Sequence, residues 1–193
     1  NYHRIPDIET ALMSEWEEKL ERIAQQAVNE NITNLTGVPS WMLILLKQIV
    51  KISGKKNISE VWPNLELYMH GGVNFEPYRS QFEELIPSKK MNYLEAYNAS
   101  EGLIGLQDKS PSEGMLVMLD YGIFYEFIPM EKFSIGIMEP INLKDVELNK
   151  KYAIVISTNG GLWRYLIGDI IEFTTLYPFR IKISGRTKNC INT

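Results

Sequence analysis

The chain has 193 residues, 45% of them apolar and 23% charged, which is enough for one substantial domain or two small ones around a real core and excludes a disordered chain. Twenty Lys and Arg stand against 24 Asp and Glu, a net charge of −4, so nothing in the overall charge calls for a nucleic acid partner. One cysteine (Cys190) and two distant histidines (His3, His70) exclude a disulfide framework and a Cys/His zinc cage, and fit a reducing, cytoplasmic setting. The densest apolar run, Trp41 to Leu46, is far short of the roughly 20 apolar residues a membrane span needs. The opening Asn-Tyr-His-Arg carries no signal-peptide pattern, and both ends read as cuts in a longer protein.

From Leu12, the apolar positions Trp16, Leu20, Ile23, Ala24 and Ala27 recur at helical spacing, with Glu15, Glu17, Glu18, Glu21 and Arg22 on the other face. The spacing predicts an amphipathic helix with Asp7 as its N-cap and an end near Asn29 and Asn31. Pro39 then opens a second helix, apolar nearly all round from Trp41 to Ile52 and so expected to be buried. Leu65 to His70 reads as a strand ending at Gly71-Gly72. Pro77 starts a helix carrying Tyr78, Phe82, Leu85 and Ile86 on one side and closed by Pro87, and Met91 to Tyr97 reads as another strand. Strand, glycine turn, helix and strand make a βαβ unit, whose loops at strand C-termini hold ligands.

After about Pro111 the helical period gives way to short β-rich runs. Met115–Leu119 and Ile123–Ile128 flank Asp120-Tyr121-Gly122, and Tyr152–Thr158 and Leu162–Ile167 flank Asn159-Gly160-Gly161, which predicts two hairpins. Ile170–Leu176 and Phe179–Ser184 add two strands around Pro178. The expected architecture is therefore α/β: a partial three-layer α/β part with a βαβ unit over residues 1–111, then a small antiparallel β-barrel or twisted sheet over 112–193.

Three runs carry chemistry. Tyr97-Asn98-Ala99-Ser100-Glu101-Gly102 groups a flat ring, a hydroxyl and a carboxylate on a strand-end loop, able to stack a base, donate to a phosphate and reach a phosphate-bound magnesium ion; equally it could be a polar turn with Ser100 capping a helix. Asp169, after Gly168 and between apolar strands, can accept both hydroxyls of a ribose or be a turn residue. Ser184-Gly185-Arg186-Thr187-Lys188-Asn189 sets two cations in a turn after the last strand, where they could touch a nucleotide or be solvated. Paired acids at Glu83 and Glu84 do not suit glycoside hydrolysis, because helix neighbours point about 100° apart.

Taken in order, Gly71-Gly72, YNASEG (97–102), WRYLIGDII (163–171) and GRTKN (185–189) resemble the acyl-adenylate-forming superfamily, and within it the auxin-responsive acyl-acid amido synthetases. GGVNFEPYRSQFEELIP (71–87) and LDYGIFYEFIPM (119–130) are similar to bacterial members. The resemblance implies that Gly71 and Gly72 lie along the adenine, Tyr97 meets the adenine, Ser100 a phosphate, and Glu101 acts catalytically by holding Mg2+. It also implies that Asp169 binds the ribose with Arg186 nearby, and that Lys188 is the hinge of a mobile C-terminal domain. An acyl pocket is implied at Trp41, Met42, Leu45 and Tyr125.

The family's phosphate loop and lysine-bearing C-terminal domain have no counterpart in the sequence. Ser53-Gly54-Lys55-Lys56 lacks the glycine spacing, and Ser157-Thr158-Asn159-Gly160-Gly161 reads as a hairpin turn. The implied activity is an ATP- and Mg2+-dependent ligase that joins a small carboxylic acid to an amine such as an amino acid, with this chain as its core and inactive alone. The competing reading is a non-catalytic nucleotide or acyl sensor on the same fold.

Overall fold

The computed structural model describes residues 4–109 and 111–187, and the chain divides into two compact units between Leu94 and Glu95.

The first unit opens with a one-turn helix, α1 (Ile8–Ala11), capped by Asp7, whose carboxylate accepts from the Thr10 amide at 2.7 Å. Asp7 thus starts this turn and not the long helix, which is α2 (Trp16–Ala27). Lys19 reaches back to the Ala11 carbonyl at 2.6 Å and satisfies one of the acceptors that the helix end leaves open. Strand β1 (Asn34–Gly37) follows, then α3 (Pro39–Ser53), with Pro39 in its first turn and Gly54 left-handed at its end. Helix α4 (Ile58–Val61) leads to β2 (Leu67–His70), which lies parallel to β1 in the register Asn34↔Leu67 to Gly37↔His70. A crossover therefore precedes the one read in the sequence. Four residues were too few for β1 to show a period.

Helix α3 is not buried all round. Met42, Leu43, Leu46 and Ile49 face the core, while Trp41, Ile44 and Ile52 are exposed. Helix α5 (Glu76–Leu85) and strand β3 (Asn92–Ala99) complete the expected order, and β3 begins beside β2 through an Asn92 amide to Glu66 carbonyl bond of 2.8 Å. The core of this unit joins Ala24, Leu46, Ile49, Trp62, Tyr68 and Phe82.

The second unit is an open, mainly antiparallel sheet in the order β3-β4-β5-β10-β9-β8-β6-β7. Its strands are β4 (Gly102–Leu106), β5 (Met115–Val117), β6 (Ile123–Pro129), β7 (Ile141–Asn142), β8 (Lys151–Thr158), β9 (Tyr165–Leu176) and β10 (Phe179–Arg186), with α6 (Met130–Phe133) after β6. Residues 95–111 belong here, and not with the α/β part to residue 111, because β3 and β4 pair with each other and β4 with β5. Of the predicted hairpins, the one at Asn159-Gly160-Gly161 joins β8 to β9. The one at Asp120-Tyr121-Gly122 does not form: β5 pairs with β4 and β10, and β6 with β8 and β7. Alternate residues of nearly every strand, among them Tyr97, Ile104, Met115, Tyr125, Phe127, Ile154 and Phe173, meet in one cluster. The sheet therefore coils around a single apolar interior, as strand twist requires of a sheet this wide.

Candidate nucleotide site

The run 97–102 is a tight β-hairpin. Ala99 pairs with Gly102, leaving Ser100 and Glu101 at the tip, so Ser100 caps no helix. Gly102 has φ +148°, and a Cβ there would come within 2.9 Å of Ile123 Cδ1. Glycine lets the tip close down on the start of β6. Ser100 is exposed and Glu101 half-buried.

Asp169 is not a turn residue. It lies inside β9, where Gly168 with φ +93° bends the strand, and directly opposite Arg186 of β10. Arg186 is accordingly a strand residue and not part of a solvated basic turn. Its Nε donates to Asp169 Oδ1 at 2.8 Å. The Tyr97 hydroxyl donates to the other oxygen, Oδ2, at 2.5 Å, although β4, β5 and β10 separate the two strands in the sheet order. Only the coiling of the sheet brings them together.

The environments of the three groups differ sharply. Asp169 is 7% exposed and Tyr97 5%, whereas the Arg186 side chain is 72% exposed. Tyr97 and Asp169 thus sit at the wall of the core with Arg186 covering the carboxylate from the solvent side. Burial, the bond to Asp169 and the Asp169 charge all push the Tyr97 phenol up, and the Glu101 charge adds to this. The phenol stays a donor at any physiological pH. With so little of its ring exposed, Tyr97 acts on Asp169 through its hydroxyl. Thr187, buried, donates to the Gly168 carbonyl at 3.3 Å and braces the bend. The sequence had marked it only as part of a basic turn.

The remaining expected residues are distributed as follows. Tyr125 is buried in the second unit's core, its hydroxyl on the Met118 carbonyl at 3.3 Å, and burial raises it to about 12. Gly71, Gly72, Trp41, Met42 and Leu45 belong to the first unit. Met42 and Leu45 line a cavity of about 670 Å3 there, with Ile23, Asn34, Thr36 and Arg4. Trp41 is half-exposed and packs edge-on against Trp16 at 4.3 Å. Gly71 and Gly72 follow β2, and Gly72 takes φ +81°. Lys188 lies outside the described residues. Sequence reading gave no role to His70, which turns out to be 5% exposed at the end of β2.

Residues 1–91 match the GH3 family N-terminal domain and residues 116–186 the GH3 family central domain. The chain belongs to the GH3 family. This GH3 chain is 28% identical over 183 residues to the indole-3-acetic acid-amido synthetase GH3.3 of Arabidopsis thaliana, covering 89% of itself and 29% of that protein. It is 29% identical over 136 residues to the jasmonoyl-L-amino acid synthetase GH3.5 of Oryza sativa subsp. japonica, covering 62% of itself and 23% of that protein. It spans less than a third of the length of these curated relatives. In fold it is similar to the GH3.15 acyl acid amido synthetase, with TM-score 0.67 at 15% identity over 92% of this chain and 41% of that one. It is also similar to 2-hydroxyisobutyryl-CoA ligase, with TM-score 0.63 at 15% identity over 90% and 40%. The GH3 fold, α/β with an open sheet, is thus shared with adenylate-forming enzymes.

Proposed function

We propose that this chain is the nucleotide- and acid-binding core of an ATP-dependent ligase that activates a carboxylic acid as its acyl-adenylate and passes the acyl group to an amine, such as an amino acid. The observation that carries the reading is the convergence of Tyr97 and Arg186 on the two oxygens of Asp169. A carboxylate held in place by a neutral donor is oriented to accept a pair of vicinal hydroxyls, and the exposed Arg186 side chain that covers it is the one group that has to swing aside when a ribose arrives.

In this reaction an oxygen of the acid attacks the α-phosphorus of ATP, the bond to pyrophosphate breaks, and the amine later displaces AMP from the acyl carbon. Two anions must be held together, so positioning and charge neutralisation carry the rate. In the second unit Asp169 and Arg186 would fix the nucleoside and Ser100 would donate to phosphate; in the first, considered by itself, Gly71 and Gly72 would let a base approach the backbone. Glu101 would hold a magnesium ion travelling with the triphosphate. The donor set suits that ion, which keeps its waters and substrate phosphates and needs only one or two protein carboxylates. Among the described residues no cluster of three acidic, His or Cys side chains stands ready to bind a cation alone. The acid would enter the cavity at Met42 and Leu45, whose mixed lining matches an apolar body with a polar head.

The test is pyrophosphate exchange into ATP by the full-length protein over a panel of carboxylic acids, with ATP–magnesium titrations of wild type, Asp169→Ala and Glu101→Ala. Exchange, and at least tenfold weaker binding in both variants, supports the ligase. Binding without exchange supports a non-catalytic nucleotide sensor. Equal affinity in all three proteins removes the site assignment.

A further inference from the structure

The loop Gly71–Asn74 leaves β2 at His70 and enters α5 through Phe75, and the rings at its two ends lie face to face, centroids 4.1 Å apart with 22° between planes. Both rings are buried, His70 to 5% and Phe75 to 3% exposure. Each is held from a second direction: Tyr68 lies 5.5 Å from His70, while Tyr93 stacks on Phe75 at 5.2 Å and the Arg79 guanidinium sits 4.9 Å from the Phe75 ring. Within the loop, Asn74 Oδ1 accepts from the Glu76 amide at 3.1 Å.

Among the described residues His70 makes no hydrogen bond that would explain its presence. Its Nδ1 is buried with no partner among the described residues, a position that a plain hydrocarbon would fill at lower cost. What the imidazole supplies is a flat face against Phe75.

We infer that His70 is a positioning residue that, through its stack on Phe75, clasps the two ends of the Gly71–Asn74 loop and so fixes the glycine backbone against which the nucleotide is to bind. This rests on the proposed function for its effect on ATP, but the clasp itself stands on geometry alone. In this four-residue loop Gly72, at φ +81°, Val73 and Asn74 are all exposed, so closing its ends restricts its freedom before a ligand arrives.

Two variants separate a flat face from mere bulk. His70→Phe keeps a ring for Phe75 to lie on; His70→Leu keeps apolar volume and loses the plane. Amide hydrogen exchange over residues 71–75 of the full-length protein without ligand is expected to be unchanged in His70→Phe and at least about fivefold faster in His70→Leu, in line with the worth of an aromatic pair. In pyrophosphate exchange, His70→Leu should raise KM for ATP by a similar factor, with kcat and KM for the acid within twofold, and His70→Phe should restore wild-type values. Equal loop exchange in wild type and His70→Leu overturns the clasp. A fall in kcat together with both KM values assigns His70 a general structural role and also overturns it. Absence of pyrophosphate exchange in wild type, with the loop exchange difference present, sinks the ligase reading and leaves the clasp intact.

Discussion

Both units satisfy buried polar side chains on backbone carbonyls, Tyr68 and Trp62 in the first and Tyr125 and Thr187 in the second, but each also buries polar groups by a means of its own. In the second, two of them are tied to charge: Tyr97 and Arg186 share the Asp169 carboxylate, and Arg180, 3% exposed, makes a two-pronged pair with Asp108 at 3.0 and 2.7 Å. In the first, His70 Nδ1 and the Tyr93 hydroxyl are buried without hydrogen-bond partners among the described residues, inside a cluster of stacked rings. Stacked rings enclose the unbonded groups beside the Gly71–Asn74 loop, and charged hydrogen bonds join the strands around Asp169. A buried charge is thus given partners, whereas a buried neutral ring can be held by flat surfaces alone.

The largest effect is expected in the core that holds the second unit's polar groups in place. Phe173 is fully buried inside the coiled sheet, against Phe127, Tyr152 and Phe179. Phe173→Ala should cost about 3–5 kcal/mol, measured by chemical denaturation. Next comes a pair that sets the two styles against each other. Tyr97→Phe strips the donor from one oxygen of a buried carboxylate and should cost about 1.5–3 kcal/mol, because hydrogen bonds to charged groups are the strong ones. Tyr93→Phe removes a hydroxyl that has nothing to bond, and should be neutral or stabilising by the same measurement. Equal losses in the two variants would break the contrast.

How far each unit was legible follows from the range of its contacts. Helices α2, α3 and α5 announce themselves by period, proline and glycine, all local signals. Of the two expected hairpins the one at Asn159-Gly160-Gly161 formed, between strands long enough to pair, and the two strands read around Pro178 pair as well. The hairpin expected at Asp120-Tyr121-Gly122 failed because Met115–Val117 found its neighbours in β4 and β10, a choice of long-range strand pairing that no window of sequence contains. The same holds for the site. Tyr97, Glu101 and Asp169 were visible as motif residues, but Tyr97 looked like a platform for a base, and its service to Asp169, 72 residues away, exists only once the sheet coils. Arg186 read as a turn cation until the β9–β10 register put it opposite Asp169. His70 gave no signal beyond its place before two glycines.

A smaller effect is expected at the loop itself. Gly72 stands at φ +81°, with only Val38 Cγ2, at an ordinary 3.5 Å, near a would-be Cβ. Space is therefore not the obstacle and backbone conformation is. Gly72→Ala should cost about 1–2 kcal/mol through the left-handed strain alone, read by denaturation, while an alanine at Gly136, φ +80° with open space around it, should cost the same and leave ATP binding untouched.

The smallest effect is a slope. His70 is pushed down to about 4, chiefly by burial and then by the Arg79 charge, with Glu76 opposing. An unfolded chain binds a proton at this histidine near pH 6.5, so between about pH 6.5 and 4 the unfolded state carries more proton than the native one, and stability must rise with pH across that window and be fully present above it. The slope from one group cannot exceed about 1.4 kcal/mol per pH unit. Carboxylates held low by cations, such as Asp108 beside Arg180, add a slope of the same sign, but theirs begins lower, as their own unfolded values are approached. Denaturation of wild type and His70→Phe at pH 7 and pH 5.5 isolates the histidine: the stability gap between the two proteins should shift in favour of the variant at the lower pH, because phenylalanine keeps the stack and has no proton to take up. A gap that is the same at both pH values would mean that His70 is protonated inside the fold, and the neutral, charge-free character assigned to the first unit would be lost with it.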